Sequence, residues 1–138
     1  MPELERLSFS IEKPLMEKLE ALIKTGGYGN RSEFIRDMIR DRLVAQEWES
    51  DLEAVGTVTL VYNHHQRKLG EKLAELQHYH HHLIMAVTHI HLDHDNCAEV
   101  IIARGPASGI RELADMLRRE KGVYHAGLSM SSTGAKLA

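Results

Sequence analysis

Polar and apolar residues alternate along Arg6-Leu-Ser-Phe-Ser-Ile11. This is the period of a strand, with Leu7, Phe9 and Ile11 on one face and Arg6, Ser8 and Ser10 on the other. Pro14 suits a first helical turn, and Leu15, Leu19, Leu22 and Ile23 recur at helical spacing until Gly26-Gly27 ends the pattern. Asn30 stands as a cap for a second helix, with Glu33 placed to reach back as in a capping box. Phe34, Ile35, Met38, Ile39 and Leu43 supply its apolar stripe. One strand and two helices over about 45 residues leave the strand edges unpaired and the apolar face half covered, so this segment needs a second copy of itself.

The run from Gln46 to Glu53 is polar and acidic apart from Trp48 and Leu52, and reads as a helix end and linker. From Ala54 the pattern changes to a β-branched run, Val55 to Tyr62. A helix is predicted from about His65 to His82 and a strand over Thr88–Leu92. Turn residues at 93–96, a strand over Ala98–Arg104, a helix over Ile110–Arg119 and a strand over Val123–Met130 follow. The order is βαββαβ, the ferredoxin-like split unit. The fold class is therefore α+β: a βαα arm over 1–48, a linker over 49–53 and a second domain over 54–138, with a small polar tail from Ser131 that should fray.

Composition narrows the class. In 138 residues, 43% are hydrophobic and 27% charged, which fits a globular chain and not a disordered one. No apolar run approaches the roughly 20 residues that span a bilayer, and Met-Pro-Glu-Leu-Glu-Arg lacks the character of a secretory signal, so the expected location is the cytoplasm. The lone Cys97 excludes an internal disulfide. Net charge is −3, and the first fifty residues carry eight basic and ten acidic side chains. Any DNA contact must then rest on locally placed groups. Histidine is the outlier: there are ten, seven of them between His78 and His94.

His89 and His91 are two apart in a predicted strand, so both imidazoles point the same way. Cys97 opens the facing strand just past the turn, and the hairpin gathers two nitrogens and a sulfur. A fourth donor from His78-Tyr-His-His-His82 would close a four-coordinate site, from the same chain or from a partner. Imidazole with thiolate suits Zn(II), Ni(II), Cu or Fe, while Mg and Ca want oxygen. His64, His80, His81, His82 and His125 remain candidates for further metal.

Two copies of the arm strand paired antiparallel would form a ribbon that fits the major groove, a ribbon-helix-helix. Arg6, Ser8 and Ser10 would face the bases. Asn30, Arg31 and Ser32 lie at a helix start, where free N–H groups and the helix dipole favour a phosphate.

On these residues the chain resembles the nickel-responsive regulator (NikR) family over nearly its whole length. Gly27-Tyr-Gly-Asn-Arg-Ser-Glu-Phe-Ile-Arg-Asp37 is similar to that family's second-helix start, and Gln77-His78, His89-Ile-His91 and Asp95-Asn-Cys-Ala-Glu99 match its metal motifs in spacing. The resemblance implies a homotetramer, a dimer of dimers, with ribbon-helix-helix pairs flanking four ACT-type regulatory domains. It implies one square-planar Ni(II) per subunit held by His89, His91 and Cys97, with His78 from another subunit. Tyr62, Gln77 and Glu99 would support the ligands without binding metal. It further implies repression of nickel-uptake genes through double-stranded operator DNA, with Arg6, Ser8 and Ser10 reading bases and Arg67 as the matching basic residue near DNA. A second cation at the domain interface would use Glu33 and Asp37. Tyr79 interrupts a histidine run that is unbroken in some relatives, and Gln66 stands where some have lysine.

Neither a membrane nor an organic small-molecule ligand is expected. The alternatives are a repressor of the same architecture that senses Zn or Cu, and a metal-storage or delivery protein, which has no use for an Arg-Ser-Ser ribbon. A metalloenzyme needs an open coordination position and a placed acid or base, and four protein donors would leave neither.

Overall fold

A computed structural model of the chain describes residues 3–138. It divides into two compact units, Met1–Arg40 and Asp41–Ala138.

In the first unit, α1 (Lys13–Thr25) has its proline in the first turn and ends at Gly26. The N–H of Gly26 donates to the Leu22 carbonyl and that of Tyr28 to the Ile23 carbonyl, at 2.9 and 3.1 Å. Gly27 takes the left-handed φ of 72° that lets the chain reverse. Helix α2 (Arg31–Glu49) starts where the sequence predicts, with Asn30 Oδ1 accepting from the Glu33 N–H at 2.9 Å. Residues 6–11, expected as a strand, carry no strand pairing among the described residues. A ribbon strand finds its backbone partner in a second copy, so one chain cannot show the ladder. Leu7 and Phe9 are 83% and 59% exposed. Phe9, Leu15, Leu19, Phe34 and Met38 are among the residues lining an apolar groove of about 250 Å³.

The second unit is a four-stranded antiparallel sheet in the order β2-β3-β1-β4, from β1 (Glu53–Asn63), β2 (Ile84–His91), β3 (Asn96–Pro106) and β4 (Val123–Ser131). Helices α3 (Leu69–Tyr79) and α4 (Ala107–Arg119) supply the other layer. The core joins Val58, Leu60 and Tyr62 of β1 and Cys97 and Ile101 of β3 to Leu69 and Leu73 of α3 and Ile110, Leu113 and Leu117 of α4. The predicted βαββαβ order is present. The α3 helix is shorter than predicted at both ends, because residues 64–68 turn after β1 and residues 80–83 turn before β2. β2 begins four residues before its predicted start at Thr88.

Trp48, read from sequence as part of a helix end and linker, is buried in this core. Its Nε1–H donates to the Ser131 carbonyl at 2.8 Å, and the Arg111 guanidinium lies 5.4 Å from its ring centroid. Gly56 makes the room: a Cβ there would lie 2.8 Å from Ile110 and 3.0 Å from Trp48. The last turns of α2 therefore belong with the second unit. Among the described residues, no helix is long and apolar enough to cross a membrane.

Candidate metal centre and DNA-binding arm

Strand register builds the centre. β2 and β3 place His91 opposite Cys97 and His89 opposite Glu99, and β1 places Tyr62 on the other side of Cys97. All lie on the face that carries the helices, since residues two apart on a strand share a face. Cys97 Sγ lies 3.3 Å from His91 Nδ1. The thiol is fully buried. Burial pushes its pKa above the ordinary value, and the negative charges of Glu99 and Asp93 add to the shift. At neutral pH the sulfur therefore keeps its proton, so the thiolate that a metal requires must be made when the metal binds.

His89 is held from behind. Its Nδ1 lies 3.2 Å from Glu99 Oε1 and 3.3 Å from the Tyr62 hydroxyl, and its ring centroid is 5.1 Å from that of His91. Glu99 also accepts from the Tyr62 hydroxyl at 3.3 Å and from Gln77 Nε2 at 2.8 Å. An ionised carboxylate only accepts, so His89 donates through Nδ1 and its free lone pair is on Nε2. This is how an outer hydrogen bond selects the tautomer of a metal-binding histidine. Burial, and then the charge of Glu99, push the Tyr62 hydroxyl far above its ordinary pKa and keep it a donor.

His64 joins this group. One ligand atom each from His64, His91 and Cys97 lie within 4.8 Å of one another. Its Nε2–H donates to the His94 carbonyl at 2.5 Å, and its ring stands edge-on to His91 at 5.6 Å. By sequence His64 is a candidate only for extra metal. Its signal is register: antiparallel β1 pairs Tyr62 with Cys97, and His64, two residues past Tyr62, falls on the same face beside the thiol. His78 sits in the last turn of α3, with its ring stacked on His81 at 5.9 Å. Among the described residues of a single chain, it is in no cluster of three metal donors.

The donor set fits a transition ion. With bonds of about 2.3 Å to sulfur and 2.0 Å to nitrogen, two neighbouring ligands stand about 3.0 Å apart at a right angle and about 3.5 Å apart at a tetrahedral angle. The 3.3 Å between Cys97 Sγ and His91 Nδ1 lies between the two, so an ion would need little movement of the hairpin.

In the first unit, Arg6, Ser8 and Ser10 are exposed. Arg6, Asn30 and Ser32 line one open cleft of about 820 Å³, so the arm and the start of α2 present polar groups together. Arg31 is engaged at home, with Nε 2.6 Å from Glu20 Oε1, an exposed pair that a phosphate could replace at small cost. Asp37 accepts from the Tyr28 hydroxyl at 2.8 Å, and Glu33 lies one turn before it on α2. Neither belongs to a cluster of three metal donors among the described residues. Arg67 is exposed in the turn between β1 and α3.

Comparison with known proteins agrees with this layout. Residues 55–131 match the family described as "NikR C terminal nickel binding domain", and residues 5–46 match "Ribbon-helix-helix protein, copG family". A protein of Solibacter usitatus described as "Putative nickel-responsive regulator" is 49% identical over 138 residues, covering 99% of each chain. One of Desulfotalea psychrophila with the same description is 48% identical over 134 residues, covering 97% of this chain and 98% of the other. An uncharacterized protein of Thermotoga maritima aligns with a TM-score of 0.52 at 15% identity, covering 56% of this chain and 96% of that one, a likeness of fold alone.

Proposed function

Because the chain belongs to the nickel-responsive regulator family, we propose that it is a nickel-dependent repressor that grips operator DNA of nickel-uptake genes when Ni(II) is bound. The family is one of transcriptional regulators and not an enzyme class. The contact that carries the metal reading is the 3.3 Å approach of Cys97 to His91, beside a His89 whose free nitrogen is set by Glu99. His89 Nε2, His91 Nδ1 and Cys97 Sγ would hold the ion, and His78 of another subunit would complete four donors. Tyr62, Gln77 and Glu99 hold His89 in its tautomer. Bound Ni(II) supplies a fixed positive centre that ties these donors together and neutralises the thiolate.

For regulation, the chain needs two states that differ in metal affinity. Recruiting His78 takes its ring out of the stack on His81 and fixes the end of α3 against another subunit. DNA then meets a segment already ordered, which lowers the entropic cost of the second event. The arm supports the DNA half of the proposal. Its exposed Leu7 and Phe9 ask for a second copy, and pairing two arms would set Arg6, Ser8 and Ser10 of each on one ribbon face for the major groove. A homotetramer of two such dimers, joined through the second units, follows the family pattern. Arg67 would add a backbone contact. Glu33 and Asp37 would take a further cation.

A second arrangement is favoured by one observation: the clustering of His64 with His91 and Cys97 offers three donors within a single chain. The two are separated by nickel titration of Cys97→Ala, His78→Ala and His64→Ala, each followed by absorption spectroscopy and a gel shift on operator-containing DNA. The proposal expects Cys97→Ala and His78→Ala to abolish the nickel-dependent shift while His64→Ala retains it. A Cys97→Ala protein that still shifts DNA in response to nickel overturns it, and a zinc- or copper-dependent shift with no nickel response would transfer the reading to that metal.

A further inference from the structure

The buried side chain of Glu47 belongs neither to the metal centre nor to the arm. It lies two residues before the end of α2 and is only 8% exposed. Among the described residues its Oε2 has no hydrogen-bond partner. A carboxylate oxygen shielded from water and given no donor is unfavourable, so a donor within reach gains by meeting it. Glu47 lines a cavity of about 190 Å³ in the second unit together with Leu43, Leu52 and Lys136. We propose that the Lys136 ammonium closes on Glu47 and makes the tail after β4 a strap across the end of α2.

The tail brings Lys136 to this place by its own turns. Its small polar composition suggested fraying, yet the chain past Ser131 folds back on itself. The Gly134 N–H donates to Ser132 Oγ at 3.0 Å and the Ala135 N–H to Thr133 Oγ1 at 3.4 Å. The Leu137 N–H donates to the Gly134 carbonyl at 3.2 Å. Gly134 holds a left-handed φ of 82°, which permits the reversal. Leu137 is half-buried and Lys136 exposed. The backbone is therefore already in position, and only the flexible four-carbon stem of Lys136 has to change rotamer.

The root of the tail is pinned to the same turn of α2, because the Ser131 carbonyl accepts from Trp48 Nε1–H at 2.8 Å. Closure would hold the tail at its root through Trp48 and near its tip through Glu47. Two cations on neighbouring elements are engaged elsewhere: Arg42 lies 3.9 Å from Glu49 Oε1, and the Arg111 guanidinium sits against the Trp48 ring. Leu43 and Leu52 give the cavity apolar walls, which strengthen a contact between ammonium and carboxylate relative to one in open water.

The test needs neither metal nor DNA, so its outcome is separate from the fate of the Cys97 centre. Full-length protein in EDTA is treated briefly with a low ratio of trypsin, which hydrolyses the Lys136–Leu137 peptide bond. Loss of Leu137 and Ala138 is followed by intact mass. Glu47→Gln should speed this cut about three- to tenfold, the range that one charge-assisted contact gives. Urea unfolding of Glu47→Gln, Lys136→Met and the double variant completes a thermodynamic cycle. Lys136→Met should lower the midpoint in wild type and leave it unchanged in the Glu47→Gln background.

An unchanged cutting rate in Glu47→Gln, or the same midpoint shift from Lys136→Met in both backgrounds, overturns the proposal. Should Glu47→Gln fail to fold, two variants at the exposed Lys136 decide. Pairing requires Lys136→Arg to keep the wild-type midpoint and Lys136→Met to lower it, and equal midpoints for the two refute the strap.

Discussion

If Cys97 is a nickel ligand as proposed, its protonated state makes nickel binding a proton-releasing reaction whose size can be worked out. Burial first, then the charges of Glu99 and Asp93, raise the thiol above its ordinary pKa. At pH 7.5 even an unperturbed thiol, near 8.5, is ionised to only about a tenth, and the buried one less. Each ion bound through Cys97 must then displace close to one proton. Between about pH 7.5 and 8.5 the thiol proton alone should make affinity rise about tenfold per pH unit, or about 1.4 kcal/mol.

The assay is calorimetry in buffers of different ionisation enthalpy, which counts protons, together with chelator competition across the same pH range. Cys97→Ala should lose both the proton release and the slope. Without metal the sign reverses: a raised acid pKa means stability is complete below the unfolded value and falls as pH climbs through the folded one. The apo protein should therefore weaken in alkali while the nickel form tightens. Nickel affinity independent of pH, or release of much less than one proton, would refute a buried neutral thiol as the ligand.

Glu99→Gln should weaken nickel binding roughly ten- to hundredfold by releasing His89 Nδ1 from its charged acceptor. Easier ionisation of Cys97 opposes this but acts at one residue's remove, so unchanged or tighter binding by chelator competition would remove Glu99 from its orienting role. Trp48→Ala should cost about 3 to 5 kcal/mol in urea unfolding, as expected for an emptied aromatic core position, because the ring is 3% exposed and its N–H is bonded; a change below 1 kcal/mol would take residue 48 out of the core. Asp51→Ala should lower stability at neutral pH, because the Ser108 backbone N–H donates to Asp51 at 2.7 Å and holds its carboxyl below the ordinary range. That advantage is present above the unfolded carboxylate value and disappears as pH falls through the lowered one, so the urea midpoints of variant and wild type should converge in strong acid.

The element order and the hairpin were legible because their signals are local. The period-two alternation of Thr88 to Leu92 and the turn residues 93–96 state by themselves that His89 and His91 share a face and that Cys97 returns toward them. The cap at Asn30 and the stop at Gly26-Gly27 were legible for the same reason, since each concerns backbone groups within one turn. The length of α3 is not legible because His65 to Lys68 and His80 to His82 keep a helix-compatible composition where the backbone turns.

What the amino-acid order offers unaided is the candidate donors, two imidazoles and a thiol on one face of a hairpin, and an arm whose apolar face calls for a second copy. Both follow from periodicity and from apolar surface that one chain cannot cover. What only tertiary structure decided is which atoms of those residues are available. The choice of Nε2 on His89 depends on Glu99 from the neighbouring strand and on Gln77 and Tyr62 from two other elements, and the arrival of His64 depends on the register of β1 against β3. Trp48 in the core depends on the space above Gly56. Hydrogen-bond partners, tautomers and packing belong to pairs far apart in the chain, and only folding brings those pairs together.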